Sequence, residues 1–146
     1  MKILITGSNG QLGNELQKIV STGKAEIGAV SEEIKNAEVF AMDVDILDIT
    51  NLEQVKKVLN EVKPDVVINC AAATNVDGCE ANQDLAFKIN SLGPRNLAMV
   101  AEELGAKIVQ VSTDYVFSGV GEAPLKECDL AVSYTHLRAH ETLANL

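Results

Sequence analysis

The chain has 146 residues, 47% hydrophobic and 23% charged, which is enough for one domain with a sizeable core and excludes a disordered chain. Twelve Lys and Arg against 21 Asp and Glu give a net charge of −9, which repels phosphate backbones and argues against nucleic-acid binding. Aromatic residues are 3% with no Trp, so base-stacking platforms are not expected either.

Met1 to Thr6 is a short apolar run that stops at Gly7, the pattern of a buried strand. It is too short for a signal peptide, and no apolar run in the chain approaches a membrane span. A cytoplasmic protein without membrane contact is therefore expected. Leu12, Leu16, Ile19 and Val20 recur at helical spacing, so a helix follows the glycine loop. Ser21 to Ala37 reads as a helix end and an ordered loop. Glu38 to Met42 reads as a second strand ending at Asp43. Thr50 and Glu53 have the spacing of a capping box. The helix behind them carries Leu52, Val55, Val58, Leu59 and Val62 on one face and stops before Pro64.

Val66, Val67 and Ile68 make a third strand, continuous in apolar residues as a parallel strand covered on both faces would be. Cys70, Cys79 and Cys128 are odd in number and lack metal-ligand spacing, so they read as reduced thiols. Asp77 and Glu80 read as a helix-entry cap and a solvated face. Asn82 to Leu104 is mostly helical, with a bend or restart at Gly93-Pro94 and Gly105 as the terminating glycine. Ile108 to Val111 makes a fourth strand. Alternating strands and helices imply right-handed crossovers and a parallel sheet. The expected fold class is α/β, a Rossmann-type doubly wound parallel sheet truncated after about four strands, with residues 1–130 as an incomplete dinucleotide-binding domain.

The loop Thr6-Gly7-Ser8-Asn9-Gly10-Gln11-Leu12-Gly13 carries that assignment. Its glycines follow strand one and open helix one. Gly7 permits the tight turn, Gly10 lets a pyrophosphate approach the backbone amides, and Gly13 allows close packing of helix on strand. Gln11 and Leu12 sit in the same turn. The acidic partner of a ribose is expected at the end of strand two, where Asp43 stands, with Asp45 as a weaker competitor. Asp43 would accept from a 2′-hydroxyl and repel a 2′-phosphate, which favours NAD. The 30 residues between Gly13 and Asp43 exceed the usual interval, and the excess falls in Ser21 to Ala37.

Further blocks are more specific: Leu47-Asp48-Ile49-Thr50, Pro64-Asp-Val-Val-Ile-Asn-Cys-Ala-Ala72, Val76-Asp77, Cys79-Glu80, Asn90 and Ser112-Thr-Asp-Tyr-Val-Phe117. With the glycine loop they resemble the extended short-chain dehydrogenase/reductases, and within them the dTDP-4-dehydrorhamnose reductases, over roughly residues 1 to 129. The resemblance implies NADP(H) or NAD(H) as cofactor and a nucleotide-sugar substrate. It is compatible with a magnesium ion and with a homodimer of the full-length parent, although no residue here marks a metal site. It places Asp48 and Ile49 at the adenine and Ala71, Ala72 and Ala73 along the cofactor. The family often has His or Tyr where Ala73 stands. Asn90 would be the helix asparagine near the active site, and Val111 and Ser112 would pass the nicotinamide end. Thr113 would be the catalytic hydroxyl that polarises the substrate ketone, and Asp114 would lie at the substrate. The implied chemistry is hydride transfer to the C4 ketone, with a Tyr protonating the alkoxide and a Lys in Tyr-x-x-x-Lys lowering that Tyr's pKa. Two alternatives stay open: a nucleotide-sugar epimerase or dehydratase of the same superfamily, and a non-catalytic subunit that keeps the fold and regulates a partner enzyme.

After Asp129 the family pattern should run on to Tyr-Gly-x-x-Lys. The nearest match is Tyr134-Thr-His-Leu-Arg138, and a guanidinium does not reproduce a lysine ammonium. His136 and His140 stand four apart, without the Glu or third ligand that a helical metal site needs. Val132-Ser-Tyr-Thr-His-Leu-Arg-Ala-His-Glu-Thr142 instead matches one translation frame of a transposase-type sequencing adapter. Residues 131–146 are therefore expected to be a non-native tail, with the general acid and substrate domain of the parent enzyme lying beyond residue 130. Deleting residues 131–146 is expected to leave the melting temperature nearly unchanged. Unfolding on that deletion alone would make the tail structural.

Overall fold

The computed structural model describes residues 1–113 together with Pro124 and Lys126. Asp114, Cys128 and the 131–146 segment lie outside the described residues. The chain opens with β1 (Lys2–Thr6), the glycine loop and α1 (Gln11–Thr22). α1 stops where Gly23 takes the left-handed conformation (φ 66°) and its N–H donates to Ile19. The stretch expected to be an ordered loop holds a small hairpin, β2 (Lys24–Ala25) with β3 (Gly28–Ala29), and a short helix α2 (Glu32–Lys35). β4 (Glu38–Met42), α3 (Leu52–Val62) and β5 (Val66–Asn69) follow. Then come α4 (Val76–Ala81), α5 (Gln83–Phe87), a π-helical turn (Lys88–Leu92), α6 (Gly93–Leu104) and β6 (Lys107–Gln110).

The four longer strands form one parallel sheet in the order β4-β1-β5-β6. The expected parallel α/β architecture is what the chain adopts. The chain steps from β1 to β4 on one side and then crosses back past β1 to β5. Both crossovers being right-handed, α1 and α3 lie on opposite faces of the sheet. Register puts Phe40, Leu4, Val67 and Ile108 in one row across the sheet. That row packs against Val55, Leu59 and Val62 of α3 and Leu97, Val100 and Ala101 of α6 to make the core. The next row, on the other face, runs Ile5, Ile68, Val109, and its cover thins outward. Ile5 is fully buried, Ile68 half-buried and Val109 49% exposed. Among the described residues no helix is long and apolar enough to cross a membrane.

Two expected caps are corrected. Thr50 does not cap α3, because its N–H and its hydroxyl both donate to Asp48 Oδ1, at 2.9 and 2.8 Å. Asn51 takes the role, accepting from the Gln54 N–H at 3.2 Å. Asp77 sits in the first turn of α4, and Asn75 caps it by accepting from the Gly78 N–H at 2.9 Å. The bend expected at Gly93-Pro94 is a π-helical turn, in which the Gly93 N–H donates to the carbonyl of Lys88, five residues back. Pro94 has no N–H for the carbonyl of Asn90 and its ring crowds that oxygen, so the backbone widens just before it. Gly105 ends α6 with φ 69°, as expected.

The revised cap at α3 gives a discriminating measurement. Asn51→Ala is expected to cost about 1 kcal/mol in urea unfolding. Glu53→Ala, which removes only an exposed ion pair with Lys56, is expected to cost less than about 0.5 kcal/mol. Equal losses would restore the capping box.

Candidate functional site

The C-terminal ends of β1, β4 and β5 enclose a cavity of about 460 Å³, a size suited to a small-molecule ligand. Gly7, Asn9 and Gly10 form one wall, Asp43, Val44 and the Leu47–Thr50 segment a second, and Cys70, Ala71, Ala72 and Ile89 a third. It lies where the chain leaves β1 and β5 toward opposite faces, the usual ligand position in such sheets.

Gly7 makes the wall possible. Its φ is +61°, and a Cβ there would stand 2.6 Å from the Ala71 nitrogen. The glycine loop therefore rests directly on the Cys70–Ala71 backbone. Gly13 is needed for packing, although against the loop rather than the strand. A Cβ on Gly13 would come 2.7 Å from Ser8 Cα and closer still to the Gly7 carbonyl. Gly10 differs: its backbone is extended (φ −71°, ψ 170°), and a Cβ would meet only the Gly7 oxygen at 3.2 Å. Space within the protein thus does not require glycine at position 10.

The start of α1 is also distinct. Ser31, Asn51, Asn75 and Asn82 each cap a helix with a side-chain oxygen. α1 starts at Gly10 without a side-chain cap and has no acidic residue in its first turn. Its amides, with Gln11 and Leu12 exposed beside them, suit an anionic ligand group.

Three polar ties fix the loops around the cavity. Asp43 accepts from the Asn9 N–H at 2.9 Å and from the Val44 N–H at 2.8 Å, joining β4 to the glycine loop. Asn69, fully buried, accepts from the Thr6 hydroxyl at 2.5 Å and the Ala71 N–H at 3.2 Å. It donates to Gln110 at 2.7 Å, which ties β1, β5 and β6 together at their ends. Asn90, in the π-helical turn, accepts from the Ala73 N–H at 2.7 Å and donates to the Ala73 carbonyl at 3.0 Å. Burial pushes the Cys70 thiol pKa up, which keeps it protonated and uncharged at neutral pH.

Of the residues singled out from the sequence, Gly7, Gly10, Asp43, Asp48, Ile49, Ala71 and Ala72 meet at the cavity. Gly13, Ala73 and Asn90 stand behind its walls. Val111 and Ser112 follow β6 as exposed residues and Thr113 is half-buried; the described lining includes none of the three. Sequence reasoning missed Asn9, Val44, Leu47, Thr50, Cys70 and Ile89 as lining residues, and Asn69 as the tie. A polar residue closing the apolar run Val66-Val67-Ile68 was the available signal for Asn69. Among the described residues no group of three His, Cys, Asp or Glu side chains could hold a metal ion.

The model of the family described as the RmlD substrate binding domain matches residues 1–133. A dTDP-4-dehydrorhamnose reductase of Streptomyces griseus is 40% identical over 124 residues, covering 85% of this chain and 37% of that protein. The crystal structure of a dTDP-4-dehydrorhamnose reductase from Clostridium acetobutylicum is 49% identical with a TM-score of 0.85, covering 99% of this chain and 48% of that one. The same enzyme from Bacillus anthracis, solved in complex with NADP, is 35% identical with a TM-score of 0.82, covering 99% of this chain and 47% of that one. The chain thus spans about 40 to 50% of the length of these proteins.

The glycine geometry separates two kinds of substitution. Gly13→Ala is expected to destabilise the fold by about 2 kcal/mol despite the better helix propensity of Ala. Gly10→Ala is expected to cost less than about 1 kcal/mol. Chemical denaturation of the two variants checks the order, and a more damaging Gly10→Ala would overturn it.

Proposed function

We propose that the chain, which belongs to the RmlD substrate-binding domain family, is the cofactor-binding half of a cytoplasmic dTDP-4-dehydrorhamnose reductase. The reaction is reduction of the C4 ketone of dTDP-4-dehydro-L-rhamnose to dTDP-L-rhamnose. The observation that carries this reading is the cavity closed by Gly7 on Ala71 at the uncapped start of α1. The residues present fit a nicotinamide dinucleotide, which supplies a hydride when bound. The amides at Gly10, Gln11 and Leu12 take the pyrophosphate, helped by the positive end of the α1 dipole. Asp43 accepts from the ribose of the adenosine, already oriented by two backbone N–H groups. Asp48 and Ile49 flank the adenine, and Ala71 to Ala73 leave room along the cofactor. Val111 and Ser112 pass the nicotinamide end, Thr113 polarises the ketone through its hydroxyl, and Asp114 meets the sugar.

Both NADP(H) and NAD(H) belong to this reading. The Bacillus anthracis relative was solved with NADP, whereas the carboxylate of Asp43 repels a 2′-phosphate. The ratio of the two dissociation constants decides between them. A magnesium ion remains part of this reading for the whole enzyme; one or two carboxylates with water and phosphate oxygens suffice to hold it.

Calorimetry is expected to show NADPH or NADH binding to the 146-residue chain, with Gly10→Val weakening it at least about tenfold by blocking the pyrophosphate. Circular dichroism should show the variant folded. Unchanged affinity would overturn the loop assignment. The 146 residues alone are expected not to reduce the sugar, because Tyr134 and Arg138 are not the Tyr and Lys of the family pair. Sugar-dependent NADPH consumption that disappears in Tyr134→Phe would overturn that expectation.

A further inference from the structure

Asn96 interrupts the apolar stripe of α6, between Gly93 and Leu97, and is 7% exposed. A polar side chain buried there costs stability unless its hydrogen bonds are made. They are made to one segment. Asn96 Nδ2 donates to the carbonyl of Ile49 at 3.0 Å and to that of Thr50 at 3.3 Å. Both acceptors belong to residues that line the cavity.

Three residues earlier the same helix touches Ile49 again. A Cβ on Gly93 would come 2.5 Å from Ile49 Cδ1 and 2.7 Å from its Cγ1. The first turn of α6 thus holds Ile49 by its backbone and by its side chain. The other hydrogen bonds of this segment are local: the Asp48 N–H donates to Gln54, and Gln54 donates to the Ile46 carbonyl. The opposite wall is gripped from the same helical run, where Asn90 holds Ala73. Asn90 sits in the widened turn and Asn96 two residues past Pro94, so one helical run reaches both sides of the cavity.

We infer that Asn96 and Gly93 are positioning residues for the adenine-side wall of the dinucleotide site, acting through Ile49. The inference rests on the reading of the cavity as a dinucleotide site. Asn96 touches no ligand in it. Removing its amide leaves two backbone carbonyls without that donor, and the segment that bears Ile49 is then held to α6 by side-chain packing alone.

ADP and inorganic pyrophosphate are the probes. Pyrophosphate engages the start of α1 alone, whereas ADP adds the adenosine. Calorimetry on the 146-residue chain is expected to show ADP binding more tightly than pyrophosphate. In Asn96→Leu that advantage shrinks at least about fivefold, with pyrophosphate affinity unchanged. Amide hydrogen exchange at residues 47–50, without ligand, speeds up about tenfold. Gly93→Ala keeps Asn96 and favours the helix, yet displaces Ile49, and it shrinks the same advantage. It replaces Asn96→Leu as the test should that variant not fold. A wild-type chain in which ADP has no advantage over pyrophosphate overturns the dinucleotide reading itself. A wild-type advantage that survives substitution, with exchange at residues 47–50 unchanged, overturns the positioning role alone.

Discussion

The bare Cα of Gly7 lies against the peptide between Cys70 and Ala71, with no room for a methyl group between them. Two parallel strands stand about 4.8 Å apart, so a chain that turns over the end of its neighbour must do so without a side chain. Everything at that end of the sheet follows from this approach. The left-handed turn at Gly7 points the chain into α1, and Gly13 seats α1 on the turn. Asn9 then reaches the carboxylate of Asp43, and Asn69 fixes the Ala71 peptide from below. The cavity is the space left beside this backbone contact, with its loops tied by the side chains of Asp43, Asn69 and Asn90.

Helix capping divides the molecule into a part that satisfies itself and a part that does not. Four helices begin under a Ser or Asn oxygen, whereas α1 begins under a glycine. In a chain of net charge −9, the first turn of this uncapped helix carries no acidic residue, and the neighbouring carboxylate of Asp43 is held on the Asn9 N–H. A bound anion would complete the helix as Asn51 completes α3, which makes ligand binding and helix stability one free energy.

Much of this was legible in the residues. The glycine spacing, the apolar runs at Met1 to Thr6 and at Val66-Val67-Ile68, and Gly105 as a stop pointed to the sheet and its main loop, because each reports a purely local constraint. The hairpin at residues 24–29 was not legible, since strands of two residues are too short to show alternation. The α3 cap was misassigned because Thr50 and Asn51 are both competent caps. The choice fell to Asp48, which captures Thr50 first. Gly93-Pro94 announced a break in the helix but not that the turn before it would widen. About half of the cavity lining consists of residues singled out from motifs, namely Gly7, Gly10, Asp43, Asp48, Ile49, Ala71 and Ala72. Asn9, Val44 and Leu47 escaped although they adjoin motif residues, because their types carry no ligand chemistry of their own, and Ile89 escaped because a helix from a distant segment brings it there.

The order of strands also bears on how the protein is made. β1 is made before β4, β5 and β6, yet it occupies the interior of the sheet, between β4 and β5. Its Thr6 meets Asn69 across 63 residues of sequence. At about 5–20 residues per second, translation needs several seconds to deliver that partner. Until then the apolar run Ile3-Leu4-Ile5 can have β4 on one side, but its other edge waits for β5. The nascent chain thus carries an apolar strand with an open edge through that interval, the kind of surface that templates association unless a chaperone covers it.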